Sequence, residues 1–209
     1  MSKQFTFYGH PRSGPTYRVG LALSLMQTPF AFEIVDLPSG GGQKPEYKAK
    51  SRFGQVPCLQ DGNDTIIQSS AILEHLAETT GKFGGKTAIE RAKIREWMYW
   101  DFDRLCPGMF RSRAYKLGFR KGEQAVIDAY RADAELGLAA LESWLLKNEW
   151  LANGKPTIAD ISVYSGIFYA ADGGFDLSKY PGISAWKARI EAMPGYGKPA
   201  DVIPAASRA

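Results

Sequence analysis

The first eighty residues alternate two periodicities. Gln4–Tyr8 is short, aromatic and β-prone. Over Pro15–Met26, Tyr17, Leu21 and Leu25 fall four apart, and Val19, Ala22, Leu23 and Met26 widen the apolar surface. That spacing predicts a helix buried on two sides. Phe30–Val35 then reads as a second strand, with Phe30, Phe32 and Ile34 alternating against Ala31, Glu33 and Val35. Strand, crossover helix and strand predict a βαβ unit with parallel strands. A loop follows over Pro38–Lys44, containing Gly40-Gly41-Gly42, and then a short helical turn over Pro45–Lys50. Pro57–Gln60 is expected to pair with Thr65–Ile67 as a hairpin across Asp61-Gly62-Asn63. From Ser70 a helix runs through Leu73, Leu76 and Ala77 to Gly81, a natural terminator. The predicted order is βαβαββα.

Beyond residue 81 the β-pattern disappears. Residues 82–88, KFGGKTA, read as a linker. Ala88–Leu105 is helical and is expected to break at Pro107-Gly108; Glu123–Lys147 is a long helix with Tyr130, Ala134, Leu138, Leu141 and Leu145 near one face. Thr157–Ala171 is a buried helix opened by Thr157-Ile158-Ala159-Asp160, a capping-box-like start with Asp in place of Glu or Gln. Ser184–Ala192 is a further helix, and the tail Lys198–Ala209 is expected to be loose. The fold class is therefore α/β followed by all-α, with domains at 1–81 and 89–209.

Composition narrows the function classes. The 209 residues are 44% hydrophobic and 23% charged, ordinary for a soluble globular chain. No apolar run reaches the ~18 residues needed to span a membrane, and Met1-Ser2-Lys3-Gln4 carries no leader pattern, so a cytoplasmic protein without membrane attachment is expected. The net charge of +4 is scattered among Glu and Asp at helical spacing, so no nucleic-acid partner is expected. Cys58 and Cys106 are far apart, and His10 and His75 are the only imidazoles, so neither a disulfide nor a metal site is expected.

Three local features carry candidate chemistry. Ser13 occupies a helix N-cap position with Pro15 in the first turn. A capping serine alone needs no functional explanation. Yet a helix N-terminus stabilises anions, and a hydroxyl there can donate to a thiolate. Second, Val56-Pro57 in GQVPCL precedes a strand and is a candidate cis bond, which would turn the Val56 backbone outward to pair with a peptide-like ligand. Third, Gln68 and Ser69 close a strand and open a helix, where a backbone N–H and a hydroxyl can cradle a carboxylate.

Together these segments resemble the cytosolic glutathione S-transferases, over nearly the whole chain. SGPTYRVGLAL is similar to the serine-type active-site segment of the zeta class and of many bacterial members. GQVPCL resembles the family's G-x-V-P-x-L, QSSAILEHLAE resembles E-S-x-A-I-x-x-Y-L, and NGKPTIADISVY resembles G-x-x-x-T-x-A-D. The resemblance implies a thioredoxin-like first domain and an all-helical second domain. It implies glutathione as co-substrate, a hydrophobic electrophile as second substrate, a detoxification role, no metal and a two-fold homodimer.

Carried onto this chain, the resemblance gives Ser13 a hydrogen bond to the glutathione sulfur. Val56 would bond the cysteinyl backbone, with Pro57 holding the turn. Gln68 and Ser69 would take the γ-glutamyl end, Gln43 and Lys44 the glycyl carboxylate, and Gln55 a further contact. Tyr8, near where tyrosine-type classes place their hydroxyl, is the runner-up catalytic group. Trp100, Arg104, Arg111 and Tyr115 are candidate walls of the electrophile pocket. Thr157 and Asp160 would cap a helix. Two departures stand out: Gln68 replaces a common Glu, and Gly14-Pro15 lacks the second serine and the cysteine of the zeta motif. The turn Ser13-Gly14-Pro15-Thr16 holds no thiol, so it cannot form a mixed disulfide. Peroxide reduction, dehalogenation or isomerisation with glutathione stays open, as does a weakly catalytic binding platform.

Overall fold

A computed structural model describes residues 5–207. Gln4, where the first strand is expected to begin, the rest of the N-terminal tetrapeptide and the last two tail residues lie outside the described residues. The chain divides into two units, one running to Lys82 and resumed at Met193, the other Phe83–Ala192.

The first unit is built on strands β1 (Phe5–Gly9), β2 (Phe30–Ile34), β3 (Cys58–Asp61) and β4 (Asp64–Ile67). They form one sheet in the order β2-β1-β3-β4. β1 and β2 pair in parallel, Phe5 opposite Phe30 and Gly9 opposite Ile34, as the crossover through helix α1 (Gly14–Leu25) requires. The hairpin β3–β4 is antiparallel, with Asp61 opposite Asp64. Its loop is two residues, shorter than the predicted three, and Gly62 at φ 60° supplies the positive dihedral a tight turn needs. α1 is buried on nearly all sides, beyond the predicted two: Tyr17, Val19, Leu21, Ala22 and Leu23 have no exposed surface. Each large apolar side chain so buried contributes roughly 1.5–3 kcal/mol. A 3-10 turn (Gly41–Gln43) and α2 (Pro45–Lys48) follow β2, and α3 (Ser69–Thr80) follows β4. α3 starts at Ser69, one residue before the expected Ser70, and Gln68 takes the capping position.

Through residue 207 the tail is packed, contrary to expectation: Val202 and Ile203 are buried, and the Ile34 N–H donates to Ser207 Oγ at 3.0 Å. Just before it, Tyr17 donates its hydroxyl to the Gly197 carbonyl at 3.0 Å, and Ser24 donates to Gly195 at 2.6 Å. A one-turn helix, α10 (Pro199–Val202), packs on α1, where Gly20 leaves room for Val202 and Ile203. The expected assignment of the tail to the helical domain thus differs from the contacts, which place it with the first unit.

The second unit contains α4 (Ala88–Trp100), α5 (Cys106–Lys116), α6 (Gln124–Leu145), α7 (Ile158–Phe168), α8 (Ala170–Gly173) and α9 (Pro181–Glu191). The expected break at Pro107-Gly108 is instead a wide turn, Asp101–Leu105, in which the Cys106 N–H reaches the Asp101 carbonyl. Pro107 has no N–H to give the Asp103 carbonyl, and it sits in the first turn of α5, where none is needed. Gly108 serves packing: a Cβ there would lie 2.7 Å from the Tyr130 carbonyl of α6. The helix expected over Thr157–Ala171 ends at Phe168, and α9 begins three residues before the expected Ser184. The Thr157–Asp160 capping box forms. Asp160 is 1% exposed and accepts from the Thr157 N–H at 2.9 Å, the Leu151 N–H at 3.0 Å and the Trp186 indole at 2.9 Å.

Candidate active site

Sheet topology gathers most of the predicted residues at one end of the first unit. Ser13 follows the C-terminal end of β1, and Gln43 and Lys44 follow β2. Gln55 and Val56 precede β3, whose first residue, Cys58, pairs with Tyr8 of β1 and with Ile67 of β4. Gln68 and Ser69 follow β4. Because β3 runs opposite to β1, its start and their ends coincide. Chemistry in open sheets concentrates at such loop-rich ends.

Ser13 caps α1. Its Oγ accepts the Thr16 N–H at 3.2 Å, and its backbone carbonyl accepts the Tyr17 N–H at 3.0 Å. A hydroxyl that accepts a capping bond keeps its own proton to donate elsewhere. The turn before it is fixed by three contacts. The Ser13 N–H donates to the His10 carbonyl at 2.9 Å, the Arg12 N–H donates to His10 Nδ1 at 3.2 Å, and the His10 N–H donates to Thr16 Oγ1 at 3.2 Å. Burial pushes the His10 pKa down, aided by Arg12 and opposed by Asp36. With Nδ1 accepting from Arg12, the neutral ring carries its proton on Nε2.

The loops that carry the remaining residues are interlocked. A Cβ at Gly42 would meet the Gly54 carbonyl oxygen at 2.4 Å, and a Cβ at Gly54 would lie 2.8 Å from the Gln43 amide nitrogen. Gln55 Oε1 accepts from Gln68 Nε2 at 3.2 Å. The Gln55 carbonyl is held by the hydroxyls of Tyr47 at 2.8 Å and Ser51 at 2.9 Å. Gln43, Gln55 and Gln68 thus form a continuous exposed rim, and the Val56–Pro57 bond between them is cis. Gln68 adopts φ 72°, ψ 117°, a region that side chains avoid and that concentrates at functional positions.

Tyr8 is placed differently. Its hydroxyl donates to Gln60 Oε1 at 3.0 Å, and its ring packs on a cluster that includes Val35, Tyr47, Cys58 and Ile67. Burial pushes the Cys58 thiol up to about 11, so this cysteine stays protonated at neutral pH. A cleft of about 280 Å³ opens beside Lys44, walled by Tyr8, Glu33, Asp36, Tyr47 and Lys50; Ser13, Gln55 and Gln68 are not among its walls.

Arg18 was not singled out from sequence. It is 1% exposed within α1 and donates through Nη1 to Ser69 Oγ at 3.3 Å. A signal was present: a lone arginine inside the otherwise apolar run Tyr17–Leu25 must find polar partners when that run is buried.

In the second unit the four candidate wall residues separate. Arg111 and Tyr115 converge on Tyr130: the Arg111 guanidinium lies 4.7 Å from the Tyr130 ring centre and bonds its hydroxyl, and the Tyr115 and Tyr130 rings stack at 6.3 Å. Trp100 packs on Trp97 at 5.2 Å, and Arg104 pairs with Asp103 at the surface, 2.8 Å apart. Among the described residues no group of three or more His, Cys, Asp or Glu is arranged to hold a metal ion. None of the described helices is long and apolar enough to cross a membrane.

Comparison with known proteins bears on this arrangement. Residues 3–78 match the glutathione S-transferase N-terminal domain, and residues 105–194 match the C-terminal domain. A glutathione S-transferase of Silene vulgaris is 29% identical, over 91% of this chain and 94% of its own length. The disulfide-bond oxidoreductase YfcG of Escherichia coli K12 is 26% identical, over 87% of this chain and 88% of its own. The crystal structure of a glutathione S-transferase from Pseudomonas fluorescens superposes with a TM-score of 0.89 at 28% identity, covering 94% of this chain and 99% of that one. With both domain models matched in order on a thioredoxin-like sheet and a helical unit, the chain belongs to the glutathione S-transferase family.

Proposed function

We propose that this protein transfers the glutathione thiol to an electrophilic small molecule, with Ser13 holding the thiolate. The observation that carries the reading is the geometry of Ser13. Its oxygen accepts the Thr16 N–H, so its proton is free, and it stands at the N-terminus of a 12-residue helix. A free thiol titrates near 8.5, and lowering that by about two units takes roughly 2.7 kcal/mol in favour of the anion. A charge-assisted hydrogen bond contributes about 1.5–3 kcal/mol and a helix terminus about 0.3–1 kcal/mol, which together are sufficient. Tyr8 is the weaker candidate because its proton is engaged by Gln60.

In this reading glutathione lies along the rim. Val56 meets its cysteinyl backbone beside Pro57, Gln68 and Ser69 take the γ-glutamyl end, Gln43 and Lys44 the glycyl carboxylate, and Gln55 braces Gln68. Trp100, Arg104, Arg111 and Tyr115 are assigned to the electrophile side, the last two gathered on Tyr130. A hydrophobic electrophile, a homodimer and a cytoplasmic location complete the assignment.

The test is the ultraviolet thiolate absorbance of bound glutathione against pH, for the native protein and Ser13→Ala. A bound thiol titrating well below the free one, and returning toward it in Ser13→Ala, is expected. A lowered value indifferent to the substitution removes Ser13 from the role.

One observation favours a second reading. Gln68 offers no charge to the γ-glutamyl ammonium, as a weakly catalytic binding platform would tolerate. Retention on immobilised glutathione separates the two, since a platform need not bind it.

A further inference from the structure

We propose that the helical unit carries a second ligand site, unrelated to glutathione chemistry, that takes a flat aromatic cation. The site is a cleft of about 420 Å³ walled by Trp97 of α4, Trp144 of α6 and Trp150 of the following loop. Four of the protein's five tryptophans gather here, because Trp97 contacts Trp100 at 5.2 Å and Trp144 at 5.4 Å. The fifth, Trp186, shows what a purely structural tryptophan looks like in this chain, being completely buried. Trp144, in contrast, is 39% exposed. Concave surfaces with a few large aromatic walls are the usual form of small-molecule sites.

The walls are fixed before any ligand arrives. Trp144 Nε1 donates to the Trp150 carbonyl at 3.1 Å, and Asn148 Nδ2 donates to the Trp144 carbonyl at 3.0 Å. Arg189 holds the Glu149 carbonyl through Nη2 at 2.9 Å, and Leu151 N–H is tied to the buried Asp160. Asn153 Nδ2 donates to the Glu90 carbonyl at 3.2 Å, joining the far end of the loop to α4. A site held at five points binds without ordering its own loop.

Charge selects the ligand. The polar lining comprises Glu96, Glu149 and Lys93, besides Asn148 and Asn153. Among the described residues none of these three charged side chains has an ion pair or hydrogen bond, so two carboxylates face one ammonium across the lining. The Arg189 guanidinium, outside the lining, lies 5.9 Å from the Trp150 ring centre, so a planar cation already rests on that indole and the open walls are Trp97 and Trp144. Indole faces attract cations, and two unpaired carboxylates add to that attraction while disfavouring anions. The aromatic walls, the surplus of carboxylates in the lining and the guanidinium already resting on Trp150 therefore agree on one occupant, a planar ring system bearing a fixed positive charge.

The test compares two probes of one shape, N-methylacridinium and uncharged acridine, by calorimetric titration of the full chain. The expected result is saturable binding of one N-methylacridinium per chain, about tenfold tighter than acridine. It should persist when S-methylglutathione saturates the other unit's site. Glu96→Gln/Glu149→Gln should remove most of the preference for the cation, and Trp144→Ala should weaken both probes. The double glutamine variant changes only exposed side chains, so it reports even where Trp144→Ala does not fold. Displacement by S-methylglutathione, equal affinity for acridine, indifference to the double substitution, or no saturation below about 1 mM each overturns the assignment.

Discussion

Arg18 reaches from α1 to the first residue of α3: its Nη1 lies 3.3 Å from Ser69 Oγ, and both residues are buried. Ser13 caps the same helix five residues earlier. One guanidinium therefore joins the helix bearing the proposed thiolate ligand to the turn proposed for the γ-glutamyl end. Lysine can carry the charge but not the fork of donors. Arg18→Lys is expected to lower the unfolding free energy by about 1–3 kcal/mol and to weaken glutathione binding. Ser69→Ala should cost less in stability. Combined, the two substitutions should be non-additive by at least about 0.5 kcal/mol in denaturant titrations. Simple additivity would show that the contact carries no coupling.

The strained Gln68 separates stability from binding. At φ 72°, ψ 117°, an exposed side chain is being held where only glycine rests easily. Gln68→Gly should raise the unfolding free energy, by up to about 1 kcal/mol, and weaken glutathione binding. Gln68→Glu should keep the strain and tighten binding by adding a charge for the ligand ammonium. If both variants bind glutathione like the parent, Gln68 is not at the ligand.

Most of this architecture was legible because each early element had one consistent periodicity. The run Tyr17–Leu25 was apolar over most of its circumference, which called for burial on two sides, and the structure buries it on nearly every side. The Gly62 turn and Thr157–Asp160 box carried local signals that nothing distant overrides. What stayed hidden depends on long-range contacts. The expected break at Pro107-Gly108 is an approach point between α5 and α6, which no local pattern reveals. The tail of prolines and small residues looks loose by composition, yet Ser207 Oγ accepts the Ile34 N–H from 173 positions away, and Val202 and Ile203 pack against Gly20. The aromatic run Trp97–Trp100 was legible as a cluster, but its partner Trp144 lies beyond the intervening α5.

His10 gives the turn before Ser13 a pH dependence. Its pKa is depressed by burial and by Arg12, so the unfolded chain takes up its proton first as pH falls. Stability then rises with pH, and the contribution is complete above the unfolded value near 6.5 and lost as pH falls through the lower folded value. Protonation also removes Nδ1 as acceptor for the Arg12 N–H. Asparagine can present an acceptor there without titrating. The stability difference between the native protein and His10→Asn, measured by denaturation from about pH 8 to about pH 5, should therefore shift against the native protein on the acid side. A difference constant across that range removes His10 from the account.

Asp160 joins three separate segments of the helical unit. Its carboxylate receives the Thr157 N–H and hydroxyl, the Leu151 N–H and the Trp186 indole. Removing it strands these donors in a buried setting, each costing about 1–3 kcal/mol before relaxation. Asp160→Ala is expected to lower stability by about 3–5 kcal/mol. Trp186 fluorescence, read in a background lacking the other tryptophans through phenylalanine substitutions, follows the transition. A loss under about 1 kcal/mol would mean that water replaces the carboxylate.

Gly42 tests whether the two loops at the proposed glycyl end act as one surface. A Cβ there would sit 2.4 Å from the Gly54 carbonyl oxygen, a backbone atom that cannot swing aside as a side chain could. The loop bearing Gln43 and Lys44 would have to separate from the one bearing Gln55 and Val56. Gly42→Ala is therefore expected to weaken glutathione binding by about tenfold, or roughly 1.4 kcal/mol, and to lower stability by about 1–3 kcal/mol. The γ-glutamyl end offers a control. Glutathione lacking its glycine should bind native protein and Gly42→Ala with nearly equal affinity, because the displaced loop bears only on the missing residue. Equal weakening of both ligands would place the glycine elsewhere along the rim and separate Gln43 and Lys44 from its carboxylate.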